Sequence, residues 1–140
     1  MTYVMDTNTI SYFLRGEGKV ESNAHDIIFN SNGENQYAIP YIVFYEVKRW
    51  LDYKPTKELK EFTKVFNDIF NTVENKAQLT PSVWGKAYKI YIALKAKGQL
   101  IGDADILIAA YCLMNDYTLV TRNTKDFERI EGLKLVNWFE

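Results

Sequence analysis

The stretch that decides the fold lies near the start of the chain and reads Tyr3-Val4-Met5-Asp6-Thr7-Asn8. Its first half is apolar or aromatic, which is typical of a short buried strand, and its second half favours turns and helix starts. A helix is expected to follow, because Ile10, Phe13 and Leu14 fall on one helical face. Gly16 suits the end of that helix. The stretch therefore predicts a β-strand that leads directly into an α-helix.

The rest of the chain repeats this alternation of strands and helices. Further strands are predicted at Tyr37 to Ile39, Tyr117 to Thr121 and Leu133 to Trp138. Helices are predicted from Val20 to Asn30, from Tyr41 to Asp52, after Pro55, after Thr80-Pro81, from Asp105 to Asn115 and, as a short turn, around Lys125 to Glu128. This order predicts an α/β fold, a three-layer α/β/α sandwich with a mainly parallel central sheet, built as one domain over residues 1–140.

The composition is that of a folded domain without a membrane span. Hydrophobic residues at 47% are ample for a core, and 140 residues match the usual size of one domain. The longest apolar run, Ile106 to Met114, is much shorter than the roughly 20 residues needed to cross a bilayer. Met1 to Met5 does not resemble a signal peptide. We therefore expect a cytoplasmic protein with no membrane contact.

Charge and residue counts exclude several kinds of site. The net charge of -1 gives no overall attraction for a polyanion, so nucleic-acid binding would have to rest on local patches or on bound metal. His25 is the only histidine, which excludes a two-histidine relay and a multi-histidine zinc site. Cys112 is the only cysteine, so an internal disulfide is excluded, and its apolar neighbours indicate a buried thiol.

Acidic residues follow the predicted strands, where open α/β sheets bind their ligands. Asp6 ends the first strand, and Glu46 borders the apolar stripe of the helix after the second strand. Asp103 and Asp105 occupy the first turn of a helix that is otherwise almost wholly apolar. Taken singly, each has an ordinary explanation: a helix N-cap for Asp6, a solvated glutamate, and an aspartate that complements the helix dipole.

Taken together, the acids predict a metal site. Crowded, buried carboxylates repel one another unless a cation lies among them, and hard divalent cations prefer oxygen ligands. The segment Thr121-Arg122-Asn123-Thr124-Lys125-Asp126 brings more polar groups to the same rim, although it could also be an ordinary polar loop. Metal ions held there could lower the pKa of a water molecule and stabilise phosphoryl transfer, so that no side-chain base is required.

Four segments, in order along the chain, form a recognisable pattern. They are Val4-Met5-Asp6-Thr7-Asn8, Tyr45-Glu46-Val47, the segment from Ile101 to Ala110 with Asp105 as its acid, and the ending from Leu119 to Trp138. Together they resemble the PIN-domain family, and in particular the VapC toxins of bacterial toxin–antitoxin pairs. The match spans nearly the whole chain.

The resemblance implies a PIN-like α/β/α fold and an endoribonuclease that depends on Mg²⁺ or Mn²⁺. It also implies an RNA substrate, with transfer RNA among the candidates, a homodimer, and inhibition by a cognate antitoxin protein. The residues expected to be catalytic are Asp6, Glu46 and Asp105. The expected metal ligands are these three together with Asp103, Asn123 and Asp126. The expected substrate contacts are Thr7, Asn8, Thr121, Arg122 and Lys125.

One position departs from the family pattern. Many PIN nucleases have a fourth acid where this chain has Asn123. An amide oxygen can bind a metal or a water molecule but adds no charge. Asp126 or Asp103 is the residue expected to compensate, and the occupancy of a second metal site stays open.

Other classes of protein fit the sequence less well. A haloacid-dehalogenase-like phosphatase needs a second aspartate two residues after the first, where this chain has Asn8. A receiver domain needs paired acids in the opening segment, which Tyr3-Val4-Met5 does not supply. A catalytically weak PIN fold that only binds RNA or protein predicts missing acids, whereas the three expected catalytic acids are present.

The aromatic residues outnumber what one inner helix face requires. They include Tyr12, Trp50, Tyr53 and Phe62. An exposed apolar groove built from them would suit an amphipathic helix of the antitoxin. The alternative is that all four belong to the core.

Overall fold

The computed structural model describes residues 1–73 and 79–140 and contains a four-stranded parallel sheet in the order β2-β1-β3-β4. The strands are β1 (Thr2–Met5), β2 (Gln36–Ala38), β3 (Thr118–Val120) and β4 (Lys134–Val136). Each neighbouring pair is parallel, with Val4 opposite Ala38 on one side and Leu119 on the other. The predicted α/β class and parallel sheet are therefore confirmed.

Helices separate the strands along the chain. They are α1 (Thr7–Arg15), α2 (Val20–Ala24) with a π-helical turn (His25–Phe29), α3 (Tyr41–Asp52), α4 (Lys57–Thr72), α5 (Pro81–Ala96), α6 (Asp103–Asn115) and α7 (Thr124–Phe127). Helix α7 spans Thr124–Phe127 rather than the predicted Lys125 to Glu128. The helix predicted from Val20 to Asn30 changes to π-helical hydrogen bonding at His25. Helix α6 begins at Asp103, after the extended N-cap residue Gly102, so Asp103 and Asp105 both lie in its first turn, as predicted.

The order in which strands are added to the sheet reverses at β1. From β1 the chain moves to β2 on one side, and it later returns to β3 on the other side. The carboxyl end of β1 is therefore the switch point at which open α/β sheets form their ligand crevice. Asp6 occupies this point, and its backbone N–H donates to the Val120 carbonyl at 3.1 Å.

The core explains why α6 is apolar on nearly every side. Ile108, Ala109, Ala110 and Cys112 have no measurable exposure, and α6 packs against α3, α5 and β3. A helix enclosed in this way needs apolar residues around its whole circumference. The predicted burial of the Cys112 thiol is confirmed.

Among residues 1–73 and 79–140, no helix combines the length and apolar composition that a bilayer crossing needs. The cytoplasmic location stays a prediction.

Gly18 is predicted to tolerate alanine less well than Gly98. Both have positive φ, 62° and 66°, so a Cβ strains the backbone at each position by about 1–2 kcal/mol. At Gly18 the added Cβ would also lie 2.6 Å from the Phe139 carbonyl oxygen, whereas at Gly98 it would meet nothing within 4 Å. Displacing Phe139 should make Gly18→Ala more destabilising than Gly98→Ala by about 1–3 kcal/mol in urea unfolding. Equal losses would show that the segment around Phe139 moves aside freely.

Candidate active site

Asp6 is a buried carboxylate with both oxygens engaged. It is 6% exposed. Its Oδ1 accepts from the Thr9 backbone N–H at 2.9 Å, and its Oδ2 accepts from the Thr121 hydroxyl at 2.6 Å. Burial raises the pKa of Asp6, the charge of Glu46 adds to that rise, and the bonds from Thr121 and Thr9 oppose it. Asp6 is therefore both the N-cap of α1 and a member of the acidic site.

Glu46 and Asp105 approach the same crevice from two helices. Glu46 lies on α3, where its Oε1 accepts from the Thr7 hydroxyl at 2.6 Å. Asp105 is half-buried in the first turn of α6. Burial raises the pKa of Asp105 to about 6, and the charges of Asp6, Glu46 and Asp126 act in the same direction. The charges of acids from four separate elements therefore act on one another at this edge of the sheet.

Positive charge is sparse within this acidic cluster. Within the described part of the chain, neither Asp105 nor Glu46 forms an ion pair, and Asp126 pairs only with Arg129, at 3.3 Å. The Asp105 carboxylate also accepts no hydrogen bond from a described residue. Its negative charge therefore has no partner among the described residues. Carboxylate oxygens are the donors that Mg²⁺ and Mn²⁺ prefer. The donor set therefore fits a divalent cation.

The acids interact electrostatically without forming a closed metal cage. Among residues 1–73 and 79–140, no group of three or more acidic, histidine or cysteine side chains is already arranged around one point. Charge interactions extend over many ångström, whereas a Mg²⁺ ligand must lie about 2 Å from the ion. The charges of these acids therefore act on one another at a distance, and the assignment of individual metal ligands stays a prediction.

Two of the other expected metal ligands lie at the rim. Asn123 is exposed, and its amide donates to Asp126 Oδ2 at 2.9 Å. Asp126 is therefore shared between Asn123 and Arg129. Asp103 is exposed at the first position of α6 and is absent from the charges that raise the pKa of Asp105. Asp126 is thus electrostatically coupled to the cluster, whereas Asp103 lies outside that coupling.

The expected substrate contacts differ in how they are placed. Asn8 and Lys125 are exposed. Thr7 and Thr121 instead use their hydroxyls to bind the carboxylates of the cluster. Thr121 is fully buried, which differs from the expected contact with substrate. Its side chain holds Asp6 in place.

The guanidinium of Arg122 stacks on aromatic rings, a contact that the sequence did not predict. Its guanidinium carbon lies 3.7 Å from the ring centroid of Phe139 and 5.7 Å from that of Tyr12. A cavity of about 290 Å³ next to it is lined by Asp6, Asn8, Tyr12, Arg122 and Asn123. No motif marks Phe139 as a partner of Arg122, because the two residues meet only in the folded chain. The stacking on Phe139 restricts the Arg122 guanidinium, which lines the same cavity as Asp6.

The aromatic residues divide between core and surface. Tyr53 is 73% exposed, whereas Tyr12, Trp50 and Phe62 are half-buried. Trp50 packs near Phe62 and under the guanidinium of Arg15. A groove of about 430 Å³ is lined by Glu46, Arg49, Trp50 and Tyr53. Two of the four aromatic residues, Trp50 and Tyr53, therefore line a groove, and its use by an antitoxin stays a prediction.

The chain belongs to the PIN-domain family, since the family model described as PIN domain matches residues 3–133. Within that family its relatives are VapC proteins. Ribonuclease VapC2 of Rickettsia felis is 30% identical over 139 residues, which cover 99% of this chain and 98% of that protein. The predicted family is thus confirmed.

Solved structures show the same fold. The crystal structure of VapBC2 from Rickettsia felis bound to a DNA fragment from their promoter has a TM-score of 0.82, with 27% identity and 99% of each chain covered. DNA-bound VapBC from Salmonella typhimurium has a TM-score of 0.81, with 19% identity and coverage of 99% of this chain and 98% of that chain.

Replacing Asp105 by asparagine should stabilise the metal-free protein at pH 7 but not at pH 4. The folded pKa of about 6 lies above the ordinary 3.8, so ionisation opposes folding. This cost is absent below about pH 4, grows as the pH rises, and is complete above the folded pKa. We expect a gain of about 1–2 kcal/mol at pH 7 in EDTA, less than the full shift implies because solvent reaches the side chain.

Asp103→Asn is the matched control, because it removes the same charge from the same helix turn at an exposed position. It should be neutral or slightly destabilising at pH 7, since an acid near a helix N-terminus is worth about 0.3–1 kcal/mol. Excess Mg²⁺ should reverse the ranking of wild type and Asp105→Asn, because ion binding to the native protein adds stability. An Asp105→Asn variant that unfolds well below wild type in EDTA at pH 7 would identify Asp105 as a structural residue.

Proposed function

We propose that this chain is a metal-dependent endoribonuclease and the toxin of a toxin–antitoxin pair. The observation that carries the proposal is the acidic cluster at the switch point, in which Asp105 has no positively charged partner among the described residues. Membership of the PIN-domain family and the relatives named Ribonuclease VapC support the same activity.

The roles of the acids follow from their surroundings. Asp6, Glu46 and Asp105 would hold Mg²⁺ or Mn²⁺, and Asn123, Asp126 or Asp103 would complete the site. When bound, such an ion lowers the pKa of water and neutralises charge on the phosphodiester. The bonds from Thr9 and Thr121 fix the plane of the Asp6 carboxylate, and the Thr7 hydroxyl orients Glu46. Hydrogen bonds therefore hold Asp6 and Glu46 in position before any ion arrives.

The substrate in this proposal is RNA, with transfer RNA among the candidates. The net charge of -1 offers no overall attraction, so the strand must be held by local cations. Arg122 and Lys125 lie in the segment that follows β3, next to the acidic site. The stacking of Arg122 on Phe139 reduces the freedom that the guanidinium loses on binding a phosphate.

Removing one acid charge should abolish cleavage while leaving the fold intact. Asp6→Asn, Glu46→Gln and Asp105→Asn each keep the shape of the side chain, and asparagine can still cap α1 at position 6. We expect each change to lower the cleavage rate of a fluorescent RNA at least about 100-fold, because electrostatic stabilisation of the reaction is lost. Asp68→Asn, at an exposed position on α4, should leave the rate unchanged.

Chelation tests the metal requirement separately. Cleavage should stop in excess EDTA and return when Mg²⁺ or Mn²⁺ is added. Full activity in EDTA would disprove the metal mechanism, and RNA binding without any cleavage by wild type would favour a PIN fold that acts only as a binding module.

The partner in this proposal is an antitoxin that docks on the groove of Glu46, Arg49, Trp50 and Tyr53. The names of the similar VapBC structures support a protein partner. An aromatic groove with charged borders suits an amphipathic helix. Because this groove shares Glu46 with the acidic site, a bound helix would cover part of that site. A homodimer stays an expectation from the family.

Tyr53→Ala should weaken antitoxin binding without affecting the fold. Tyr53 is 73% exposed, so its removal costs little core, and a tyrosine anchor at an interface is worth about 2 kcal/mol or more. We expect the Kd for the cognate antitoxin protein to rise at least about tenfold in calorimetry. Tyr88→Ala, on α5 and 60% exposed, is the control and should leave the Kd unchanged. If Tyr53→Ala binds as tightly as wild type, the docking groove lies elsewhere.

A further inference from the structure

A basic cavity lies between α5 and the segment that follows α7, outside the acidic cluster. It encloses about 260 Å³. Its charged lining consists of Lys86, Lys89, Lys97, Arg129 and Glu131. Four cations against one acid make this cavity strongly positive in a chain whose net charge is only -1.

Lys86 and Lys89 lie on one flank of α5, and Lys97 is the C-cap residue of the same helix. Ile90 and Leu94 turn into the core, and the opposite flank carries exposed Trp84 and Tyr88. The three lysines of the cavity form no ion pair with any residue in the ranges 1–73 and 79–140. Their charges are therefore available to an anion from outside the chain.

Arg129 connects this cavity with the acidic cluster. One guanidinium nitrogen lies 3.3 Å from Asp126 Oδ1, and another donates to the Gln99 carbonyl at 3.3 Å. Asp126 in turn interacts with Asp105. Arg129 therefore lines the basic cavity and also contacts Asp126 of the acidic cluster.

We propose that Lys86, Lys89, Lys97 and Arg129 bind backbone phosphates of the RNA strand beyond the phosphodiester that is cut. The inference rests on the proposed function, because it gives the same substrate a second contact surface. An RNA strand is repelled by the acids unless cations beside them compensate, and each phosphate contact releases counterions.

Neutralising the three lysines tests this inference. In Lys86→Gln/Lys89→Gln/Lys97→Gln, we expect KM for a 12-nucleotide single-stranded RNA to rise at least about tenfold while kcat changes less than about twofold, since the acids are untouched. Anisotropy with the same RNA, in an Asp105→Asn background that prevents cutting, should show a salt slope that is smaller by about two, at about 0.7 per phosphate contact.

The matched control is Lys57→Gln/Lys60→Gln/Lys64→Gln on α4, which removes the same charge from exposed positions on a helix that packs against α1 and α3. It should change KM and the salt slope far less. Equal effects of the two triple variants, or an unchanged Kd in the first, would overturn the inference while the proposed function stands.

Two further outcomes are distinguishable. If the first triple variant loses antitoxin binding but keeps RNA binding, the cavity belongs to the protein partner and the inference fails. If wild type neither binds nor cuts RNA, the proposed function fails together with the inference. Thermal unfolding of both triple variants verifies that they are folded.

Discussion

The carboxylate of Asp6 is the junction on which the site depends. Its backbone N–H bonds to the end of β3, its Oδ1 caps α1, and its Oδ2 accepts from Thr121. The Thr9 hydroxyl also donates to Val120, so β1, α1 and the segment after β3 are joined around one buried group. An ion or substrate that binds at Asp6 would therefore contact a carboxylate whose orientation is fixed by hydrogen bonds from Thr9 and Thr121.

This junction has an energetic cost that the rest of the fold offsets. Burial and neighbouring charges raise the pKa of both Asp6 and Asp105, which means that the ionised, metal-free site opposes folding. The continuous core around α6 supplies apolar burial that is independent of the site. A local conflict of this kind is expected at functional sites, and a bound cation would relieve the repulsion between the acids.

The sequence predicted those features that depend on neighbouring residues. Asp6 as a cap, Gly16 as a helix end and the apolar α6 all follow from local pattern, and each is confirmed. The acids could be placed at the switch point because parallel strands share one carboxyl edge. The stacking of Arg122 on Phe139 and the cavity beside Arg129 could not be predicted, because they join segments whose approach is set by packing. The π-helical turn at His25 had no recognisable signal.

The acidic cluster and the basic cavity lie next to each other in this molecule, with Asp126 and Arg129 between them. Asp126 shows how the two regions meet: it accepts from Asn123, pairs with Arg129 and still raises the pKa of Asp105. Because Arg129 already neutralises part of its charge, Asp126 attracts a cation less strongly than Asp105, which has no such partner among the described residues. The ion would therefore favour the Asp6, Glu46 and Asp105 side of the crevice. In the proposed complex, Lys86, Lys89 and Lys97, which form no ion pair with a described residue, would hold the negative strand that the acids repel.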